Sequence, residues 1–164
     1  MATIVLGANE DFTLPAGQHS VYADASQQTV TVSAGASVTF LAGSIGDNIV
    51  LAGNAANYTA VLNGNQVTLT DTTTGATIVV PAGTTATSVA FDDGARDLII
   101  DTTGATPAIT LGGTEVTDTE APVTGEPTDP TEPPVDGETF TLTTGTDTID
   151  GTDGDDTITA AAGT

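Results

Sequence analysis

Twelve short runs rich in Val, Ile, Leu, Phe and Thr constrain the fold of this chain more than any other feature of the sequence. Small turn-forming residues separate the runs, which recur about every eight to eleven residues, as short strands do. No window places apolar residues at the i, i+3, i+4 and i+7 positions of an amphipathic helix. The sequence therefore predicts an all-β fold. The predicted strands are Thr3–Leu6, Asp11–Leu14, Ser20–Ala23, Thr29–Ser33, Ser37–Leu41, Asn48–Ala52, Tyr58–Leu62, Gln66–Thr70, Thr77–Val80, Ser88–Phe91, Asp97–Ile100 and Ala108–Leu111.

The turns between these runs leave two all-β architectures open. Pairs such as Ala34-Gly35 and Ala52-Gly53 punctuate the strands at short, even intervals. Strands of this length can stack as the coils of a β-solenoid, or they can pair as an antiparallel β-sandwich. Their shortness favours a solenoid-like stack. Asn63-Gly64, which lies between two strand-forming runs, predicts a type I′ hairpin that projects from the stack.

A second pattern occupies residues 142–164, which fall into rows of nine. Three residue types recur in fixed columns of these rows: Gly145, Gly154 and Gly163; Asp147 and Asp156; Ile149 and Ile158. Glycine permits tight left-handed turns, and an apolar residue between two polar ones forms a short strand with one side chain inward. Each row therefore predicts a turn that can bind a metal ion, followed by a strand that can stack.

The row from Gly151 to Thr159 resembles the RTX nonapeptide repeat of secreted bacterial proteins, G-G-x-G-x-D-x-U-x. It matches every constrained position except the second, where Thr152 replaces glycine. The resemblance implies the start of a parallel β-roll with two rows per coil and calcium held between the turns of successive coils. It also implies that the chain is the N-terminal part of a longer protein.

Calcium takes 6 to 8 oxygen ligands from carboxylates, carbonyls and water. The resemblance implies that Gly151, Asp153 and Asp155 offer carbonyl oxygens and that Asp156 offers its carboxylate, with Asp147 in the equivalent column of the preceding row. The turn that would stack on theirs lies beyond residue 164. The neighbouring rows lack both leading glycines, so we expect calcium binding by this chain alone to be weak.

Charge restricts the partners of this protein. The chain has 22 acidic residues and one basic residue, Arg96, which gives a net charge of −21. This charge disfavours nucleic acid and anionic membrane surfaces, since both require basic residues, and it attracts divalent cations. No apolar run approaches the ~20 residues of a membrane-spanning helix, so membrane insertion is not expected. The chain has no cysteine, and calcium can replace disulfides as a staple outside the cell.

Composition divides the chain into three parts. Residues 1–116 are the predicted all-β structural domain. Residues 117–138 contain more than half of the eight prolines together with many acids, which predicts an extended, semi-rigid linker. Residues 139–164 are the beginning of the RTX-like repeats. The N-terminus lacks a basic and apolar signal sequence, which fits either a cytosolic protein or export through a C-terminal signal. The RTX resemblance implies the second route, type I secretion.

Few residues of the first part are candidates for chemistry. His19 is the only histidine, has no cysteine or second histidine as a co-ligand, and is predicted to lie in a turn or at the surface. Asp92 and Asp93 are adjacent, so on a strand end they would point opposite ways. With Arg96 nearby, they predict a turn with a local ion pair rather than the paired carboxylates of a glycosidase. The local sequence after two further aspartates, Asp71 and Asp101, indicates turns.

These observations predict a non-enzymatic protein at the bacterial cell surface. The preferred hypothesis is a structural or self-assembling module of a calcium-dependent secreted protein, such as a surface-layer or filament subunit. Self-association would use unpaired β edges. One alternative is an adhesin module that binds a glycan or host surface. Another is an accessory domain of a secreted enzyme.

Overall fold

A computed structural model describes residues 2–7, 10–23, 28–41, 43–127, 139–141 and 157–159 of the chain. The chain forms two compact units, Met1–Thr128 and Asp129–Thr164. In the described parts the only helical element is one 3-10 turn, Ala55–Asn57, and all other regular structure is strand. The all-β prediction is therefore confirmed.

All twelve predicted strands are present, with ends that differ from the prediction by three residues or fewer. Four further short strands complete the set. The strands are β1 (Ala2–Leu6), β2 (Asp11–Leu14), β3 (Gly17–Ala23), β4 (Thr29–Val32), β5 (Ala36–Phe40), β6 (Asn48–Leu51), β7 (Tyr58–Asn63), β8 (Gln66–Asp71), β9 (Thr77–Pro81), β10 (Thr87–Phe91), β11 (Gly94–Asp101), β12 (Ala108–Leu111), β13 (Thr114–Glu115), β14 (Ala121–Pro122), β15 (Thr139–Thr141) and β16 (Thr157–Thr159).

The first unit contains two seven-stranded sheets. Sheet A has the order β1-β3-β5-β9-β8-β7-β14, and sheet B has the order β13-β12-β11-β10-β6-β4-β2. The first six strands alternate between the sheets, and β9 and β10 continue the alternation. Strands β1, β3, β5 and β9 pair in parallel, as do β2, β4, β6 and β10. The remaining pairs in both sheets are antiparallel. Both sheets are therefore mixed, and their parallel pairs exclude a wholly antiparallel sandwich.

The core lies between the inward faces of the two sheets, because buried and less buried residues alternate along the strands. In β5 and β8 every second residue is buried, as the two-residue period of a strand requires. Parallel register then stacks equivalent inward residues in columns. Val21 lies beside Phe40 in sheet A, Val30 lies beside Ile49 in sheet B, and all four are fully buried.

The predicted hairpin is present, but it differs from the prediction in two ways. Asn63 pairs with Gln66, so the two turn residues are Gly64 and Asn65 rather than Asn63 and Gly64. Gly64 has φ +66°, a conformation that glycine adopts without strain. The hairpin does not project, because β8 pairs with β9 and β7 pairs with β14 inside sheet A. Burial of residues such as Leu69 holds it there.

Ordered packing continues past residue 116, where the sequence suggested the start of a linker. The C-terminal strap, residues 116–127, lies against the end of the first unit. Val116 and Val123 are buried, and Val123 N donates to the carbonyl of Tyr58. The prolines fit because Pro122 lies in the edge strand β14, where a missing N–H breaks no ladder. The rest of the predicted linker, 128–138, lies outside the described residues.

Candidate functional site

The residues predicted to bind metal cannot be compared with the structure. Asp147, Gly151, Asp153, Asp155 and Asp156 all lie outside the described residues. Within the described ranges, no group of three or more histidine, aspartate or glutamate residues is arranged to hold a metal ion. The calcium site therefore stays a prediction.

The strands on either side of those residues do carry information about the repeat. β15 pairs in parallel with β16, with Thr139 opposite Thr157 and Phe140 opposite Ile158. Paired residues are 18 apart, which is twice the nine-residue period. The same repeat could have predicted β15, because Phe140 precedes Ile149 by nine residues. The nine-residue rows that begin at Leu142 leave this earlier row out. Two rows therefore separate one strand from the strand that stacks on it.

In the first unit, β1 and β2 are edge strands at one end of the two sheets, and most of their residues are exposed. We call these two strands the open end. β1 is an edge of sheet A and β2 is an edge of sheet B, so each has a described partner on one side only. β1 contains no charged residue and no proline, both of which normally protect an edge. No strand among the described residues pairs with its outer side, which could therefore accept another strand.

The core is incompletely covered at the open end. Ile4 pairs with the fully buried Val21 but is itself only partly buried. Phe12 pairs with the fully buried Val30, yet it is 39 % exposed. Both residues lie at inward positions of edge strands, where one more strand in each sheet would cover them. The open end therefore presents apolar side chains beside backbone that has no partner among the described residues.

Three exposed apolar residues form a row on the outer face of sheet A near this end. Val5 pairs with Tyr22, and Leu41 follows the residue opposite Val21 in the neighbouring strand. Their exposures are 70 %, 44 % and 38 % respectively. This outer row is an apolar surface with one aromatic ring among otherwise mostly polar outward residues.

The opposite end of the first unit is closed by the strap. Glu126 N donates to the carbonyl of Gly112, and Leu62 N donates to that of Thr117. Gly125 lies so close to Leu111 and Gly112 that a Cβ built on it would overlap the Leu111 carbonyl oxygen. Only glycine allows this approach. The edge strands here, β13 and β14, have two residues each.

Arg96, the only basic residue, fixes this closed end. It is 5 % exposed, and its Nε donates to the Gly125 carbonyl at 2.8 Å. Its Nη1 and Nη2 donate to the two carboxylate oxygens of Asp93 at 3.2 and 3.0 Å, and Nη1 also donates to the Gly94 carbonyl. The guanidinium lies 5.3 Å from the ring centroid of Phe91. Arg96 therefore joins the β10–β11 turn to the strap.

The same turn is tied to the segment that follows β6. Asp93 Oδ1 accepts from Ala55 N at 2.9 Å, and this bond, followed by the contact with Arg96, lowers the pKa of Asp93. Asp92 Oδ2 accepts from Gly53 N at 3.1 Å. The local ion pair predicted for this turn is confirmed, and both carboxylates act in turn structure.

Asp71 and Asp101 also act in turns, as the sequence predicts. Asp71 accepts from Thr73 N and from the Thr74 hydroxyl. Burial opposes its ionisation, but these hydrogen bonds outweigh burial and lower its pKa. Asp101 accepts from the backbone N–H and the hydroxyl of Thr103, and both bonds lower the pKa of Asp101. Each carboxylate stabilises the reversal that follows its strand.

The prediction for His19 was wrong. His19 lies in β3, not in a turn, and is only 8 % exposed. It pairs with Val38, whose side chain is also buried, and its Nε2 lies 2.8 Å from the Pro15 carbonyl oxygen. Strand periodicity explains the burial, because His19, Val21 and Ala23 share the inward face. The short strand predicted from Ser20 omitted this position.

Buried polar residues lie immediately before, or at the first position of, successive strands of sheet B, a feature that sequence reasoning missed. Gln28, Asp47 and Thr87 are almost fully buried. Gln28 Nε2 donates to the Gly7 carbonyl, Gln28 N donates to Asp47 Oδ1, and Gly46 N donates to Thr87 Oγ1. These hydrogen bonds connect each chain segment that passes from one sheet to the other with the next such segment. They satisfy backbone groups at the corners, where no ladder can do so.

Tyr58 provides a test of the closed end. Burial, followed by the negative charges of Asp71 and Asp92, raises the pKa of Tyr58 from 10.0 to about 12. Folding therefore opposes ionisation of the Tyr58 hydroxyl. The stability that the neutral Tyr58 side chain contributes to the folded state is lost as the pH rises from 10 to about 12. In a Tyr22→Phe variant, where Tyr58 is the only tyrosine, we expect phenolate absorbance to rise near pH 12. A midpoint near pH 10 in folded protein would contradict this environment.

Within the described ranges the chain has no helix with the length and apolar character needed to cross a membrane. No family model, curated protein or solved structure matches this chain, and none identifies the nonapeptide family that its tail resembles. Function is therefore inferred from the open end, the outer row and the strand pairing in the tail.

Proposed function

We propose that this chain is a structural, self-assembling module of a secreted, calcium-dependent protein of the bacterial cell surface. The observation that carries the proposal is the parallel pairing of β15 with β16 at an offset of 18 residues. An offset of two nine-residue rows is what a β-roll with two rows per coil requires. Together with the Gly-Asp columns of the tail, it supports the RTX-like interpretation.

The first unit supports a structural role. Its first six strands alternate between two sheets, and each of the first four pairs in parallel with the strand two positions later, which supports a solenoid-like arrangement of this part. Such a stack gains stability from contacts between neighbouring coils, and it needs protected ends to remain monomeric. One end is covered by the strap, whereas the edges of the open end have no further strand partner in the part of the chain that the structure describes. Self-association through these edges would make the unit a building block.

Calcium would be held by the turns of the tail. Gly151, Asp153 and Asp155 would offer carbonyl oxygens and Asp156 its carboxylate, with Asp147 in the equivalent position of the preceding row. A bound Ca²⁺ supplies positive charge and a multidentate link between successive turns. In a chain with net charge −21 and no cysteine, that link would replace both basic residues and disulfides as the staple of the tail.

Calcium addition is expected to increase the β-strand content of the tail. In far-UV circular dichroism of the whole chain, millimolar calcium should deepen the strand signal, and a chelator should reverse the change. Asp156→Asn should raise the apparent Kd several-fold because it removes the one side-chain carboxylate assigned to the site. Calorimetry should show only weak binding, since the rows on either side of this one lack both leading glycines.

Asp118→Asn is the matched control, because it removes one exposed charge from the strap, outside the repeat. It should leave the titration unchanged. The calcium proposal fails if Asp156→Asn and Asp118→Asn give the same titration, or if magnesium produces the same spectral change. A micromolar site in the unmodified chain would contradict the expectation of weak binding.

A second candidate function is an adhesin module, which the outer row favours. Aromatic and apolar side chains can pack on the faces of sugar rings, and Tyr22 is 44 % exposed between Val5 and Leu41. A glycan array probed with the unmodified chain and with Tyr22→Ala tests this function. Retention that disappears with Tyr22→Ala would support it. An array without specific retention would argue against it.

A further inference from the structure

The four edge strands of the two described sheets differ in how well they are protected from pairing. β13 and β14 have two residues each, and they contain Glu115 and Pro122 respectively. β2 has four residues and begins with the exposed Asp11. β1 has five residues, Ala-Thr-Ile-Val-Leu, without charge or proline. Short, charged or proline-containing edges resist strand addition, so β1 is the edge best suited to accept another strand.

Side chains on both faces of β1 leave the edge accessible. Thr3 and Val5 point outward and are exposed, and Val5 is 70 % exposed. Ile4 points inward and is partly covered, and Phe12 in the edge strand of sheet B is also exposed. A partner that paired with β1 would extend the ladder of sheet A. It would also bury the incompletely covered apolar residues of the open end.

The difference between the two ends of the first unit indicates which molecule would pair with β1. A head-to-tail stack would require the closed end to pair with β1, but its edges are two-residue strands beside the acidic residues Asp118 and Glu120. Like-with-like pairing has no such restriction, because an uncharged β1 can face a second uncharged β1. A two-fold contact joins the same surface of both copies, so it closes with two chains.

We infer that two copies of this chain pair through β1, antiparallel about a two-fold axis at Ile4, so that sheet A continues across the dimer. Ile4 then faces Ile4 of the second copy, Ala2 faces Leu6, and Thr3 faces Val5. This inference rests on the self-assembly part of the proposed function and names its contact. It also limits that contact: β1 pairing makes dimers, and a sheet or filament needs a second contact surface.

The test measures the mass of the whole chain by sedimentation velocity over a range of concentrations. Each measurement is made with calcium and with chelator, at an ionic strength that screens the net charge. The expected species has the mass of two 16.2 kDa chains. Val5→Glu should shift it to the monomer, because the carboxylates enter an interface within an already acidic dimer. The double variant Thr3→Arg with Val5→Glu should restore the dimer, since opposite charges then face each other across the axis.

Leu41→Glu is the matched control, because it adds the same charge to the outer row two strands away from the edge. It should leave the dimer intact. Circular dichroism of every variant checks that sheet content is retained. A monomeric unmodified chain would overturn the inference. So would assemblies larger than a dimer that Val5→Glu does not change, and so would equal effects of Val5→Glu and Leu41→Glu on the measured mass. Calcium titration reports separately on the tail, so failure of the β1 contact leaves the calcium result interpretable.

Discussion

Replacing Arg96 by methionine is expected to lower the free energy of unfolding by about 1–3 kcal/mol, the loss typical of leaving a buried hydrogen-bonding group without its partner. Methionine keeps much of the side-chain volume over Phe91 but donates no hydrogen bond. The variant leaves the Gly125 carbonyl without its Arg96 donor and leaves Asp93 without its cation. Urea unfolding monitored by circular dichroism measures the change.

Arg96→Lys separates charge from geometry. Lysine keeps the positive charge but cannot reproduce the planar fork that contacts both oxygens of Asp93 and the Gly125 carbonyl. We expect this variant to lose most of the stability that Arg96→Met loses. A lysine variant as stable as the unmodified chain would show that charge alone holds the closed end. A methionine variant without loss would show that the clamp contributes nothing measurable.

Replacing Gly125 by alanine is expected to destabilise the first unit by about 2–3 kcal/mol through overpacking. The added Cβ would overlap the Leu111 carbonyl oxygen and would lie 2.8 Å from that of Gly112. Backbone atoms cannot rotate away as a side chain can, so the strap must move from β12. That movement also lengthens the hydrogen bond from Arg96. Thermal unfolding should show a decrease of roughly 4–12 °C in Tm.

Gly104→Ala is the control for this steric effect. Neither glycine has a left-handed φ, so alanine introduces no backbone strain at either position. The nearest atom to a Cβ at Gly104 is the Thr106 carbonyl oxygen at 3.4 Å, which is close to ordinary contact. We expect a small change for Gly104→Ala. Similar losses in the two variants would show that the close approach of the strap is not the cause.

Local sequence determined where the strands lie and how several turns are built. β-branched runs between small residues located all twelve predicted strands, because strand propensity and turn chemistry act over a few neighbouring residues. Asp71 and Asp101 cap their turns through residues two or three positions later. The ion pair between Asp93 and Arg96 spans three positions. These features needed no knowledge of distant contacts.

Features that depend on contacts between distant residues were missed or placed differently. The strap has the composition of a linker, yet Val123 and Gly125 pack against strands that occur earlier in the chain. His19 has no sequence neighbour that announces burial, and its position on the inward face follows from where β3 begins. The hairpin register moved by one residue because β7 also pairs with β14 and β8 with β9.

The sequence by itself determined that this chain is built from strands, that its charge is strongly negative, and that its tail repeats every nine residues. Tertiary structure alone decided which strands pair, which end of the first unit is closed, and which edge is left open. The physical reason is distance along the chain: turns and strand propensities are local free energies, whereas pairing and closure join residues tens of positions apart. Arg96 shows both, since its bond to Asp93 is local and its bond to Gly125 exists only in the folded unit.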